Sequence, residues 1–114
     1  MKKDFFRELH NMAITVCDAT GIILWMNDRS RVVNGDGLIG SNVLDCHPEP
    51  ARSQLHSMME RQATNSYTIE KNGIKKLIYQ APWYEDGEYA GFTEFSVEIP
   101  FDMPHFIRKP KPQQ

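Results

Sequence analysis

What this chain lacks narrows its function more than any single residue does. It has only two cysteines, Cys17 and Cys46, in 114 residues. That is too few for a disulfide framework or a structural zinc site, so reduced thiols in a reducing compartment are expected. No apolar run approaches the ~18 residues a membrane-spanning helix needs. The start, Met1-Lys-Lys-Asp-Phe-Phe-Arg-Glu8, turns charged too soon for a secretory signal. A cytoplasmic location without membrane contact is the expectation. The formal net charge of -2 supplies no overall attraction for nucleic acid. Arg108, Lys109 and Lys111 make only the Pro-rich end basic, and they read as a solvated tail. Chemistry is equally thinly represented. No Gly-rich phosphate loop occurs, and Ser41, Ser53 and Ser57 lack a nucleophile-elbow context. His47-Pro-Glu49 begins a zinc-deaminase signature, but no Pro-Cys-x-x-Cys follows. With no nucleophile, base and orienting group assembled, an enzyme is not expected.

What is present is ordinary for one soluble domain: 40% hydrophobic and 25% charged residues, enough for a single core. Phe5, Leu9 and Met12, with Phe6 beside them, give residues 1–12 the apolar stripe of a short N-terminal helix. Residues 13–18 and 22–27 read as two strands joined by Asp18-Ala-Thr-Gly21, a turn sequence. Ile22, Leu24 and Met26 alternate with Ile23 and Trp25, so both faces of the second strand are apolar and both need covering. From Asp28 to Cys46 the pattern is short and Gly-punctuated, consistent with brief helical turns. Pro48-Glu-Pro50 opens a longer helix to about Ala63, with Ala51, Leu55, Met58, Met59 and Gln62 on one side. Residues 67–71 and 74–84 flank Asn72-Gly73, a strong hairpin signal. A last strand spans residues 89–99, and residues 100–114 form a Pro-rich, basic tail. This order predicts an α+β domain over residues 13–99, with one antiparallel sheet and helices on one face.

Four pieces of the sequence together resemble the PAS family of sensory domains. They are Asp18-Ala-Thr-Gly21, Asn27 after the second strand, Ile39-Gly-Ser-Asn42 before the long helix, and Asp86-Gly-Glu-Tyr-Ala-Gly91 entering the last strand. Asp45-Cys-His-Pro-Glu-Pro-Ala-Arg52 is also similar to a PAS subgroup found with bacterial hemerythrin-like proteins, which suggests a bacterial source. The resemblance covers roughly residues 12–99. It implies a five-stranded antiparallel sheet, a pocket between sheet and long helix, and dimerisation through the N-terminal helix and outer sheet face.

The cofactor signatures of the family can be compared one by one. Where flavin photoreceptors carry a reactive Cys after Gly-x-Asn, this chain has Val43. Where the coumaroyl-chromophore subgroup has its Tyr and Glu, it has Met26 and Ser30. Both chromophores are therefore argued against. Haem-binding members place an axial His on the long helix after Pro-Glu-Pro; here that position is Leu55 and His56 comes one residue late, so haem stays open only through a register shift.

The ligand-pocket candidates are Met26, Cys46, His47, Leu55, Met58, Met59, Tyr79 and Trp83. The outer-face and dimer candidates are Phe5, Phe6, Leu9, Ile23 and Trp25. Cys46, His47 and Glu49 cluster near a helix start, but a metal site using His47 or His56 lacks further ligands at a nominating spacing. The expected function is a sensory module that binds a small molecule, mediates homodimerisation, or does both, and acts on a signalling partner in trans. The alternatives are a protein-interaction domain with no ligand, and a haem or metal redox sensor.

Overall fold

The computed structural model describes residues 3–112. Its elements run β1 (Met12–Asp18), β2 (Ile23–Met26), α1 (Asp28–Asn34), a short 3-10 helix (Val43–Cys46), α2 (Ala51–Arg61), β3 (Asn65–Lys71), β4 (Ile74–Glu85) and β5 (Glu88–Ile99). The five strands form one antiparallel sheet in the order β2-β1-β5-β4-β3. An α+β fold with a five-stranded antiparallel sheet is thus what the chain adopts.

Local chemistry accounts for most of the elements. Asn72 and Gly73 both take positive φ, 53° and 77°, which a two-residue turn matching the right-handed strand twist requires. At the β1–β2 turn one oxygen of Asp18 accepts from the backbone N–H of Thr20 and of Ile22, each at 2.9 Å. The Asn42 side chain then donates to the Thr20 carbonyl at 3.1 Å, and Val43 N–H reaches the Gly21 carbonyl at 2.8 Å. Two of the four sequence pieces, Asp18–Gly21 and Ile39–Asn42, therefore meet in space. Asn42 also caps the 3-10 helix by accepting from Leu44 N–H at 2.9 Å. For α2 the Glu49 carboxylate serves as the start cap, accepting from Ser53 N–H at 2.8 Å.

The core lies between the sheet and the helices. Cys17, Ile23, Met26, Val43, Leu55, Met58, Met59 and Phe92 pack there as one cluster. Each large side chain so buried stabilises the fold by about 1.5–3 kcal/mol. Gly91 lets β1 and β5 close up behind this cluster, since a Cβ at that position would lie 2.0 Å from the Cys17 carbonyl oxygen.

Two expectations need correction. Residues 3–11 form no helix; Phe5–Glu8 make a turn, and residues 1 and 2 of the predicted helix lie outside the described residues. The cause is competition for carbonyls: Phe6 and Met12 accept from the Asn27 side chain, both at 2.9 Å, Arg7 accepts from Asp28 N–H and Asn11 from Glu98 N–H. Carbonyls committed to distant donors cannot close helical turns. Ile23, expected on the outer face, is instead in the core. In the β1–β2 ladder Val16 pairs with Trp25 and Cys17 with Ile23, so Leu24 is a bulged extra residue. The bulge puts Ile23 and Met26 on the same side, three residues apart, and leaves Leu24 exposed.

Candidate functional site

A row of polar side chains crosses the inner face of the sheet. Thr15 pairs with Glu94, Glu94 with Gln80 and Gln80 with Asn65, so four strands each contribute one member. The side chains are linked: Asn65 Nδ2 donates to Gln80 Oε1 at 3.3 Å, and Gln80 Nε2 donates to Glu94 Oε2 at 2.7 Å. At the other end the hydroxyls of Thr15 and Ser30 lie 2.7 Å apart, and Asn34 Nδ2 donates to Ser30 Oγ at 3.1 Å. Thr15 and Gln80 are both buried.

Two cavities lie over this row and share His47 as a wall. One, of about 250 Å³, is lined by Thr15, Met26, Leu38, Val43, Cys46 and Glu94, among others. The second, of about 300 Å³, is lined by Ala51, Gln54, Leu55, Asn65, Tyr67 and Gln80. Together they make a cleft between the sheet and the corner where the 3-10 helix gives way to α2. A larger depression of about 640 Å³, lined by Ser53, Ser57 and Arg61 among others, is a groove beside α2 and away from the polar row's Glu94 and Thr15. The cleft is the better candidate, because it combines apolar walls with converging polar groups.

His47 is held firmly. Its Nδ1 lies 2.8 Å from the Val43 carbonyl oxygen, and its own carbonyl accepts from Arg52 Nε at 3.2 Å, alongside the Leu44 carbonyl at 3.0 Å. Because a carbonyl only accepts, Nδ1 carries the proton. Titration behaviour in and around the cleft follows burial and the Glu94 charge. Burial first, then the Glu94 and Asp18 charges, pushes the Cys17 thiol up to about 12. Burial, and then Glu94, also raises the Tyr67 phenol. Both groups stay protonated at neutral pH.

The predicted site residues divide sharply. Met26, Cys46 and His47 line the first cavity, and His47 and Leu55 the second. Met58 and Met59 are buried in the core cluster, with Met58 also reaching the groove beside α2. Tyr79 and Trp83 do not join them. Tyr79 is 41% exposed on the outer face, its ring 6.3 Å from that of Phe95. Alternation along β4 places Ile78 and Gln80 inward, which sends Tyr79 outward. Trp83 shares that outward face, and its indole N–H donates to the Cys17 carbonyl at 2.9 Å, across the strand that carries Gly91. His56 is on the exposed side of α2, its Nδ1 3.3 Å from Glu60, while its neighbour Leu55 turns inward. The register shift that haem ligation required is therefore not present. Among the described residues no three His, Cys, Asp or Glu side chains gather as metal ligands.

Of the outer-face candidates, Phe5, Phe6 and Leu9 sit in or beside the N-terminal turn, with Phe5 and Phe6 exposed and Leu9 half-buried. Trp25 is half-buried, with the Arg7 guanidinium 6.0 Å from its ring centroid. Sequence reasoning missed Glu94, Thr15 and Asn65. Nothing in the local pattern marks them; only Gln80, a polar residue at an inward position of β4, offered a signal.

No family model and no curated protein matches this chain. Solved structures do resemble it. A sensory box sensor histidine kinase from Vibrio cholerae is 16% identical with a TM-score of 0.63, covering 82% of this chain and 85% of that one. The PAS domain of Bordetella pertussis BvgS is 19% identical with a TM-score of 0.58, covering 81% and 79%. The PAS domain of an HTR-like protein from Haloarcula marismortui is 17% identical with a TM-score of 0.57, covering 82% and 85%. With the strand order, the Asp18–Gly21 turn docked on Asn42 and the helices on one sheet face, these likenesses identify the fold of this chain as the PAS fold.

Proposed function

We propose that this chain is a sensory module that takes a small ligand into the cleft above the Thr15–Glu94–Gln80–Asn65 row and passes its state to a partner protein or a second copy. The observation that carries this reading is a polar row crossing four strands beneath two cavities of about 250 and 300 Å³. A sheet face meant only for packing would be apolar there, because burying linked amides and a carboxylate gains little stability. The outer face supplies the surface for output. Trp25, Tyr79 and Phe95 lie on it, and Phe5 and Phe6 remain exposed beside it. Aromatic side chains left exposed or half-buried on a sheet face suit an interaction surface.

A second reading, an interaction domain without a ligand, is favoured by the filled packing of Leu55, Met58 and Met59 against Cys17 and Phe92. Native mass spectrometry of the protein isolated from its own host separates the two. Retained ligand mass supports sensing, whereas an apo species alone supports the second reading. Light scattering at tens of micromolar tests the outer face: a dimer that Tyr79→Glu dissolves is expected, and a wild-type monomer would remove self-association from the proposal.

A further inference from the structure

The charges of the cleft are one-sided. Among all the residues lining its two cavities there is no Lys or Arg, and the only carboxylate is Glu94. Among the described residues the Glu94 carboxylate has no ion pair, and its only hydrogen bond is the one it accepts at Oε2 from Gln80. A contrast stands four residues further along the same strand face, where Glu98 is neutralised by Arg29 at 3.2 Å. The neighbours of Glu94 do not relieve its charge, since burial first and the Glu94 charge second make both Cys17 and Tyr67 hold their protons more tightly.

His47 adds a second, independent preference. Its Nδ1–H is committed to Val43, which leaves Nε2 as the ring's acceptor nitrogen. The cleft thus presents a carboxylate and an imidazole acceptor, both complementary to a ligand that donates hydrogen bonds. Beside them the walls are apolar: Ile23, Met26, Leu38 and Val43 line the same cavity of about 250 Å³. That volume lies just below the usual range for drug-sized ligands and suits a fragment-sized molecule. A carboxylate or phosphate ligand would meet uncompensated repulsion from Glu94 in a partly desolvated site.

Resting on the cleft as the ligand site proposed above, we infer that its ligand is a small organic cation, a primary ammonium group on an apolar body, with Glu94 as its counter-ion. The ammonium group donates to Glu94 and to His47 Nε2, while the apolar body packs on Ile23, Met26 and Val43.

Three probes of matched shape test this: 2-phenylethylamine, 2-phenylethanol and phenylacetate, each titrated into isotopically labelled protein and followed by the amide resonances of Thr15, His47 and Glu94. The amine is expected to shift these resonances and to bind about tenfold or more tightly than the alcohol, as a charge-assisted contact should. In Glu94→Gln, whose folding is checked by circular dichroism and thermal midpoint, that preference disappears while weak binding of the alcohol persists. Equal binding of amine and alcohol, or tighter binding of phenylacetate, would overturn the cationic class and leave the cleft standing as a ligand site. Failure of all three probes to move any cleft resonance would overturn both.

Discussion

Two polar regions of this molecule look alike in composition and differ in saturation. At the β1–β2–α1 corner, Asn27 is fully buried. Its amide oxygen accepts from Ile14 N–H and Ser30 N–H, both at 3.0 Å, and its amide nitrogen donates to the Phe6 and Met12 carbonyls. Two donors and two acceptor sites are all an asparagine amide has, so no capacity remains. In the cleft, Glu94 receives a single hydrogen bond and His47 keeps a free acceptor nitrogen. The lesson is that a saturated buried polar group is architecture, whereas an unsaturated one facing a cavity is an invitation to a ligand.

The comparison predicts a large asymmetry on mutation. Asn27→Ala strands four backbone groups and should cost about 4 kcal/mol in urea unfolding. Asn27→Asp isolates half of the effect, because a carboxylate still accepts but no longer donates to Phe6 and Met12. Limited proteolysis should then cut the N-terminal segment faster, and an unchanged cleavage rate would show that Asn27 does not hold it.

The cysteines sharpen the same contrast between filled core and open cleft. Cys46 is exposed and lines the cleft, whereas Cys17 is fully buried with its thiol pushed up to about 12. Iodoacetamide at pH 8 should modify Cys46 quickly and Cys17 only on unfolding, with intact-mass spectra counting one adduct. Two adducts at equal rates would mean the core opens readily. The Cys17 shift also has a stability sign. Its folded value is raised above the ordinary 9.0, so its contribution is complete below about pH 9 and is lost as pH climbs towards about 12.

Glu94→Gln should change stability by no more than about 1 kcal/mol, since the Gln80 hydrogen bond survives and a charge is removed from a partly buried site. A loss as large as that of Asn27→Ala would erase the distinction between the two regions. The smallest effect is expected at the Asp18 turn. There desolvation pushes the carboxyl up, but hydrogen bonds from Ile22, Thr20 and Gly21 outweigh it and hold the value below the ordinary 3.8. A depressed folded value means the contribution is present above about pH 3.8 and is lost as pH falls through the folded value. Wild type should therefore exceed Asp18→Asn in stability by a constant margin near neutrality, and that margin should shrink in acid. A margin insensitive to pH would show that these hydrogen bonds do not discriminate charge.

The parts of the fold written in local sequence were the turns, the hairpins and the apolar face of α2. Leu55, Met58 and Met59 fell inward as their spacing required, and Met26, Cys46 and His47 line one cavity. The errors all turn on how elements pack and pair, which spacing alone does not show. Phe5, Leu9 and Met12 have helical spacing, yet Asn27 and Glu98 claim carbonyls that a helix would use. Ile23 alternates with Met26 in the sequence, yet a bulge at Leu24 puts both in the core. Tyr79 and Trp83 have the chemistry of pocket residues and the parity of the outer face.

By itself, then, the sequence determined the five strands, the turns that join them and the long helix in their order, and the lack of the PAS family's light-sensing residues. Those features depend on residues near one another or on side chains present or missing at a single position. Only the tertiary structure brings together the polar row under the candidate cleft. Thr15, Asn65, Gln80 and Glu94 come from four strands and form a row solely through β-sheet register. Register is a property of strands that have already paired, and a shift of one residue would send every one of these side chains to the opposite face.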